Sequence, residues 1–341
     1  MEQIQLYLPD ITRIFYLTAL SFVIALIWTP LFTDFLYKNK LGKKIRKTGF
    51  DEKKVPIFYK LHKGKENTPT MGGLLIWITT AIITLLFNFS RSGTWLPLFA
   101  LVASGVIGAA DDLLNIRGLG PNRGGLAFRY KFILYLIIAA AGAWWFYYKL
   151  GWDVFHLPGF GDIFLGWWYI PLFIFVIVAV AFAVNETDGL DGLAAGTLAI
   201  SFSAYGFIAV AEGKPALGAF CGAITGALLA FLWFNIYPAR FFMGDTGSMA
   251  LGTTLAVVAF LTNAVAVLPI IGFIFVLEAL SVVVQIISKK VFHRKVFLSS
   301  PIHHHFEALG WPETKVTMRF WVISAVMAII GVMIALLGRG N

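Results

Sequence analysis

Long apolar runs alternate with short polar segments along nearly the whole chain. Runs of roughly 17 to 25 apolar residues are long enough to cross a hydrocarbon core of about 30 Å as helices. The ten segments that fit lie at 14–36, 72–90, 95–110, 130–148, 168–184, 193–211, 216–236, 249–264, 267–288 and 319–338. The ten-residue alternation of a transmembrane barrel is not visible. The pattern predicts one all-α integral membrane domain over residues 1–341, a polytopic bundle of about ten transmembrane helices.

Two places depart from this pattern. Residues 152–168 contain two short apolar runs on either side of a Pro-Gly-Phe-Gly turn at 158–161, which predicts a short hairpin outside the bilayer. The ninth segment begins with Pro269 and Gly272 and also contains Glu278, so we expect that helix to be kinked or broken.

The basic residues distinguish the two faces of the predicted bundle. Most of the 27 Lys and Arg residues fall in loops that follow odd-numbered segments. Because an excess of Lys and Arg marks cytoplasmic loops, these loops are predicted to lie in the cytoplasm, with both termini and the hairpin on the outer side.

Composition supports a membrane protein and argues against other classes. The chain is 59% hydrophobic and 13% charged, with a mean hydropathy of +0.80, well outside the range of soluble domains. The net charge of +9 is explained by basic residues that set the membrane topology and contact anionic lipid. No aromatic-and-basic module is found that would predict nucleic-acid binding. The single cysteine, Cys221, lies in an apolar run and is interpreted as a core residue.

Three acidic clusters fall on the predicted cytoplasmic face. Asp111 and Asp112 follow the third segment, and adjacent carboxylates repel unless a cation or a shared proton compensates. Asp188 and Asp191 would share one helix face if the sixth helix began there, with Asn185 one turn earlier. The plain alternative for all of these is solvated acids that mark helix ends.

The third acidic position is Asp245, which lies between Gly244 and Gly247. Its carboxylate can project from an irregular turn whose free amides and hydroxyls suit oxygen-rich ligands, and carboxylates are ligands that Mg²⁺ prefers. The plain alternative is that Asp245 only caps the eighth helix.

Two further polar stretches lie on the same face. The internal run His303, His304 and His305 cannot direct all three rings at one metal from a regular helix, so one or two of them bonding a phosphate is the better interpretation. The segment from Lys65 to Gly73, which includes Thr70, is equally consistent with a structural turn before the second helix and with a binding loop. Walker A, nucleophile-elbow and dinucleotide motifs are not found.

Together these motifs resemble the phospho-N-acetylmuramoyl-pentapeptide transferases, members of the polyprenyl-phosphate N-acetylhexosamine-1-phosphate transferase superfamily. The resemblance covers nearly the whole chain, and the motifs that carry it are Pro69 to Gly73, Asp111-Asp112, Asn185 to Leu193, Phe242 to Ser248 and Pro301 to Glu307. It implies a ten-helix enzyme of the bacterial inner membrane, with its active site facing the cytoplasm. The implied reaction transfers phospho-MurNAc-pentapeptide from UDP-MurNAc-pentapeptide to undecaprenyl phosphate, giving lipid I and UMP with Mg²⁺. The expected protein partner is a second copy of the chain, in a homodimer.

The resemblance also implies roles for individual residues. Asp245 would be the Mg²⁺ ligand. The positions assigned to the chemistry are Asp111, Asp112, Asp188 and His304. The positions assigned to substrate binding are Lys65, Thr70, Lys131, Asn185, Asp191, Asn235, Phe242, His303 and His305.

One departure from the family pattern bears on phosphate binding. The family usually has a lysine three residues after the second aspartate, where this chain has Asn115, and Arg117 or Arg123 could supply the missing charge. Two rival functions stay open at this point. One is a transferase of the same superfamily that uses UDP-GlcNAc, and the other is a transporter, since an intramembrane acid such as Glu278 also marks ion paths.

Overall fold

The computed structural model describes residues 2–42, 63–119 and 125–338, and each of the ten predicted apolar segments is helical. The helices are α1 (Glu2–Lys38), α2 (Gly73–Phe87), α3 (Trp95–Ile116), α4 (Phe128–Trp144), α5 (Tyr169–Thr187), α6 (Leu193–Ala211), α7 (Pro215–Asn235), α8 (Asp245–Leu261), α9 (Leu268–Ile271), α10 (Phe273–Val291), α11 (Ile302–Ala308) and α12 (Glu313–Leu337). A π-helical turn, Trp145–Lys149, extends α4. Arg123 of the sequence-based hypothesis lies outside the described residues.

Length and composition confirm a polytopic all-α membrane fold. Seven helices within the described ranges are long and apolar enough to cross a membrane. An eighth candidate is the segment containing α9 and α10, which is bent by 81° at Gly272, as the proline and glycine of that segment predicted. Because α2 and α8 are shorter than a full span, the total of ten crossings and the placement of the termini stay predictions.

Small residues bring the central helices into backbone contact. A Cβ added to Gly226 of α7 would lie 2.1 Å from the Thr18 carbonyl oxygen of α1. A Cβ on Gly108 of α3 would lie 2.2 Å from the Asp245 carbonyl oxygen, at the start of α8. Helix α8 is buried along its length, whereas α1 and α12 leave most of their surface outside the bundle core. Small residues at such crossings are typical of membrane bundles, where close backbone packing stabilises association.

The predicted hairpin is present and lies away from the acidic clusters. Strands β1 (Val154–Leu157) and β2 (Gly161–Phe164) pair antiparallel, with His156 opposite Asp162. The hairpin contacts the carboxyl ends of α8 and α12, where the His156 amide reaches Asn263 Oδ1 (3.4 Å) and the Gly159 amide reaches the Gly338 carbonyl (3.5 Å). Both helices begin among the acidic clusters, and a helix of 17 residues spans about 25 Å. Hairpin and acidic clusters therefore lie at opposite ends of the bundle.

Candidate functional site

One ammonium group joins two of the three acidic clusters. Lys131, near the start of α4, places its Nζ 2.5 Å from Asp111 Oδ2 of α3 and in ion-pair contact with Asp245 Oδ2 of α8. The side chain of Asp111 is 1% exposed, and those of Lys131 and Asp245 are 14% and 15% exposed. Charge interactions are strong at such burial because little water screens them.

The second oxygen of each carboxylate is held by an uncharged donor. Asp111 Oδ1 accepts the backbone N–H of Leu126 at 2.6 Å. Asp245 Oδ1 accepts the side-chain amide of Asn185 at 2.8 Å, and the same amide nitrogen donates to Ser248 Oγ at 2.9 Å. Both carboxylates are thus oriented independently of Lys131, and both turn their Oδ2 atoms toward it.

The adjacent aspartate, Asp112, points elsewhere, because neighbours on a helix differ by about 100° in direction. Asp112 Oδ2 accepts the Thr246 backbone N–H at 3.0 Å and the Thr246 hydroxyl at 2.7 Å. It thereby fixes the first turn of α8. The sequence could not assign separate roles to the Asp111 and Asp112 pair, and the structure separates them: Asp111 faces the ammonium and Asp112 holds the helix that carries Asp245.

The turn before α8 needs glycine for two reasons. Gly244 has φ +72°, and a Cβ there would lie 2.4 Å from both Asp112 Oδ2 and Thr70 Oγ1. Helix α8 begins at Asp245 with Gly244 as its N-cap residue, so Asp245 belongs to the first turn and is not the cap itself. Thr70 is 1% exposed, and its Oγ1 has no hydrogen-bond partner within the part of the chain that the structure describes.

The expectation that Asp188 and Asp191 share a helix face was wrong. Helix α5 ends at Thr187 and α6 begins at Leu193, so both aspartates lie in the turn between them. Gly192 adopts φ +76°, which breaks the helix at this point. The two carboxylates diverge as a result, and Asp188 Oδ2 accepts the Gly244 amide at 3.1 Å, which ties this turn to the one before α8.

Asp191 joins a second cluster with Lys65 and Glu313. Lys65 Nζ lies 2.6 Å from Asp191 Oδ1 and 2.5 Å from Glu313 Oε1. Glu313 Oε1 also accepts the Asp191 backbone N–H at 2.6 Å. The Lys65 ammonium is 5.9 Å from the ring centroids of both Tyr237 and Phe242. A cation, two carboxylates and two aromatic faces therefore meet at one place, a combination that suits a planar polar ligand.

The segment that carries Lys65 lies alongside the stretch that leads into α8. The Phe242 amide donates to the Pro69 carbonyl at 2.8 Å, and the Gly73 amide donates to the Met243 carbonyl at 2.9 Å. Asn235 holds the neighbouring turn through two hydrogen bonds. Its Oδ1 accepts the Gly192 amide at 3.0 Å, and its Nδ2 donates to the Phe241 carbonyl at 2.9 Å. Asn235 is 4% exposed, so its visible contacts are structural ones.

The three histidine rings do not face one point: the rings of His303 and His304 lie together, with centroids 4.0 Å apart, whereas His305 makes a separate contact. His303 Nδ1 lies 2.9 Å from Glu278 Oε2 of α10, and His304 Nδ1 lies 2.7 Å from Glu307 Oε2. A Cβ added at Gly189 would lie 2.2 Å from His303 Nε2, so this glycine lets the turn before α6 approach the histidine rings. The third ring, His305, instead accepts the Leu298 amide at 3.2 Å.

Burial sets the charge of His304. Desolvation, reinforced by the nearby His303, lowers the pKa of His304 to about 4, although the Glu307 carboxylate acts in the opposite direction. The ring is therefore neutral near pH 7. It can donate or accept a hydrogen bond, but it does not bring a positive charge to this end of the bundle.

This neutral ring gives a pH-dependent contribution to stability. As pH falls from 6.5 toward 4, the unfolded chain binds a proton at His304 that the folded chain does not, so the contribution is complete above pH 6.5 and lost on acidification. The shift corresponds to about 3 kcal/mol at most. Thermal unfolding from pH 7.5 to 4.5 should show a steeper acid loss in the wild type than in His304→Gln. Parallel profiles would contradict the assignment.

The donor set around Lys131 fits a divalent cation that is only partly held by protein. Mg²⁺ is commonly bound through one or two carboxylates and completed by water and substrate phosphate oxygens. Asp111 and Asp245 supply two converging carboxylate oxygens. Within the described ranges, no group of three or more His, Cys, Asp or Glu side chains is arranged as a complete metal site.

Three residues that bond the predicted site residues were not identified from the sequence as members of the site: Glu313, Thr246 and Ser248. Glu313 follows Pro312 at the start of α12, where an acidic residue is expected for the helix dipole alone. Only the fold reveals that its carboxylate meets Lys65. Thr246 and Ser248 lie within the glycine-rich turn motif, and the expectation that its hydroxyls are free for a ligand was wrong, because they donate to Asp112 and to the Gly244 carbonyl.

Comparison with known proteins places these motifs among related chains. Residues 94–263 match Glycosyl transferase family 4, and residues 65–76 match signature 1 of the phospho-N-acetylmuramoyl-pentapeptide-transferases. The chain is 43% identical over 325 residues to a phospho-N-acetylmuramoyl-pentapeptide-transferase of Geobacillus thermodenitrificans, covering 93% of this chain and 96% of that protein. A protein of the same name from Chloroflexus aurantiacus is 40% identical over 342 residues, covering 96% of this chain and 91% of that protein.

Proposed function

The chain belongs to the phospho-N-acetylmuramoyl-pentapeptide-transferase family, and from that membership we propose that it transfers phospho-MurNAc-pentapeptide from UDP-MurNAc-pentapeptide to undecaprenyl phosphate. The products would be lipid I and UMP. The chain is a bacterial membrane phosphoglycosyl transferase. We further propose that the reaction depends on Mg²⁺ and that the active site faces the cytoplasm from the inner membrane. The observation that carries it is identity extending over nearly the full length of both chains, including the segment of Lys65.

The cluster around Lys131 is our candidate for the reacting phosphates. A phosphate that attacks a pyrophosphate must overcome repulsion between anions, and a bound Mg²⁺ would supply positive charge that reduces it. Asp245 and Asp111 would hold this ion through their converging oxygens. Asn185 keeps Asp245 oriented, while Asp112 and Asp188 fix the turn and helix from which Asp245 projects.

We propose a direct in-line attack by the lipid phosphate. A general base is not required, because the second pKa of a phosphate monoester is around 6 and the acceptor is already largely ionised near pH 7. The contacts of the aspartates support this direct route, because each of these carboxylates already bonds a neighbouring group. Asp111 in particular is paired with the Lys131 ammonium, which reduces its nucleophilicity. An aspartyl-phosphate intermediate is the two-step alternative. A phospho-enzyme trapped with UMP released before lipid is added would overturn the direct route.

The second cluster is our candidate for the uridine part of the donor substrate. Lys65 can donate to a carbonyl or phosphate oxygen, Asp191 can accept an N–H, and the Phe242 ring offers a face for stacking. His303 and His304, next to the glycine of the same turn, are proposed to contact phosphate or sugar. Roles for Thr70, Asn235 and His305 in substrate binding stay predictions.

A substrate comparison tests the proposal. Purified protein in detergent is supplied with undecaprenyl phosphate and either UDP-MurNAc-pentapeptide or UDP-GlcNAc, with and without Mg²⁺, and UMP and lipid product are measured. We expect Mg²⁺-dependent turnover only with the muramoyl substrate. Turnover with UDP-GlcNAc alone would favour the rival transferase, and no UMP release in the absence of a gradient would favour a transporter.

Glu313→Gln should separate binding from chemistry. The amide keeps an acceptor for the Asp191 N–H but removes one of the two negative charges that hold Lys65. We expect the KM for the UDP substrate to rise by about three- to tenfold with kcat within about twofold, the pattern of lost uniform binding. Glu66→Gln, an exposed neighbour of Lys65, is the matched control. A fall in kcat at unchanged KM would contradict this assignment.

A further inference from the structure

Lys131 and the two carboxylates it contacts come from three different helices. Its Nζ is 2.5 Å from Asp111 Oδ2 and also in ion-pair contact with Asp245 Oδ2, and all three side chains are at least four-fifths buried. Two carboxylates that converge in a poorly solvated place repel each other unless a cation or a shared proton compensates, and here the Lys131 ammonium contacts both of them. Lys131 supplies one positive charge against two negative charges.

Each carboxylate is also held by an uncharged donor other than this ammonium. Leu126 N–H holds Asp111 through Oδ1, and Asn185 holds Asp245 through Oδ1. In both cases the oxygen that faces Lys131 is the other one, Oδ2. If another cation took the place of the ammonium, these two donors would keep the Oδ2 atoms directed at the same point. The carboxylates thus form a preformed cation cradle in which the lysine ammonium is one occupant.

We propose that Lys131 is the internal counter-ion of this cradle and that a divalent cation binds by displacing its ammonium. The two occupants exclude each other, because a divalent ion at about 2.0–2.1 Å from carboxylate oxygens would occupy the space of an ammonium that contacts the same oxygens. Lys131 therefore lowers the apparent metal affinity and stabilises the metal-free protein. The inference rests on the proposed function, in which Asp111 and Asp245 hold Mg²⁺.

If Lys131 formed a purely structural ion pair, the expected result would differ. In that case, removing the lysine charge would destabilise the protein to the same extent at every Mg²⁺ concentration. If the ammonium and Mg²⁺ compete, the loss caused by removing Lys131 is restored by the metal, because ligand binding to the folded state stabilises it by mass action.

Thermal unfolding of Lys131→Met and the wild type in detergent, titrated with Mg²⁺ alone, distinguishes these cases. Cys221 is the only cysteine and is fully buried, so a thiol-reactive fluorophore reports unfolding directly. We expect Lys131→Met to unfold at a lower temperature without Mg²⁺ and to half-saturate at a Mg²⁺ concentration at least about tenfold below that of the wild type. Equal Mg²⁺ dependence in the two proteins, or a deficit that Mg²⁺ does not change, would overturn the proposal.

Two further variants test the specificity of the effect. Lys149→Met removes an ammonium at the far end of α4, where it lies over the Trp144 ring, and should leave the Mg²⁺ response unchanged. Asp245→Asn, combined with Lys131→Met, should abolish the response. If Mg²⁺ still stabilises that double variant, the ion binds elsewhere and the proposed metal site fails. If the wild type already responds as strongly as Lys131→Met, competition fails while the metal site stands.

A measurement on the wild type covers the case in which Lys131→Met does not fold. Amine-reactive labelling of Lys131 is followed by mass spectrometry with and without saturating Mg²⁺. The paired ammonium is 14% exposed and should label slowly, and displacement by Mg²⁺ should speed labelling several-fold. Labelling that is unchanged or slower with Mg²⁺ would overturn the proposal. Lys38, which is exposed and paired with Asp34, provides the internal reference.

Discussion

Asp245→Asn is expected to lower kcat of the transfer reaction by at least about a hundredfold, the scale of removing one preorganised electrostatic contact. The substitution keeps the shape of the side chain and leaves an oxygen that can accept the Asn185 amide, but it removes the charge that faces Lys131 and the proposed metal. The expected loss is therefore in chemistry and metal affinity more than in folding. It is measured as the rate of UMP release at saturating substrates over a series of Mg²⁺ concentrations.

The matched control is Asp34→Asn. That carboxylate forms an exposed pair with Lys38 one turn along α1, a type of contact that contributes little to stability. We expect its activity to stay within about twofold of the wild type, as for most surface substitutions. An Asp245→Asn enzyme that keeps a third or more of wild-type turnover at every Mg²⁺ concentration would remove Asp245 from the chemistry.

The helices were predictable from sequence because a membrane span has a simple physical requirement. Each needs an uninterrupted apolar stretch, and the breaks between the stretches are marked by Pro, Gly and charge. The bend at Gly272 and the hairpin around 158–161 followed from the same residues. Helix ends were less predictable: α3 continues past Asp111 and Asp112 to Ile116, because a buried carboxylate with a partner does not end a helix.

The candidate site was predictable as a set of motifs but not as a set of contacts. The sequence placed the aspartate motifs on one face, yet Asp188 and Asp191 proved to lie in a turn and not on a helix face. Which of Asp111 and Asp112 faces Lys131 depends on the rotation of α3 against α8, a long-range property that local pattern does not specify. The meeting of Glu313 with Lys65 depends likewise on packing between segments far apart in sequence.

That dependence on helix packing makes Gly108 a sensitive position. Gly108 lies one turn before Asp112 on α3, and its α-carbon faces the backbone at the start of α8. A Cβ there would lie 2.2 Å from the Asp245 carbonyl oxygen and 2.6 Å from its carbonyl carbon, and both are backbone atoms that cannot rotate away. A methyl group at Gly108 must therefore move α3 relative to the residue that carries the proposed metal ligand.

Gly108→Ala is accordingly expected to reduce kcat by about a hundredfold, because a misplacement on the order of 1 Å between reacting groups costs that much. Unfolding should also occur at a lower temperature, since overpacking typically costs about 1–3 kcal/mol. Activity and thermal unfolding are measured on the same preparation. The control, Gly105→Ala, lies about one turn earlier on α3, and its methyl group would meet the Trp77 side chain at 2.9 Å and not the backbone of α8. Equal losses in the two variants would mean that packing of α3 in general, and not its approach to Asp245, governs activity.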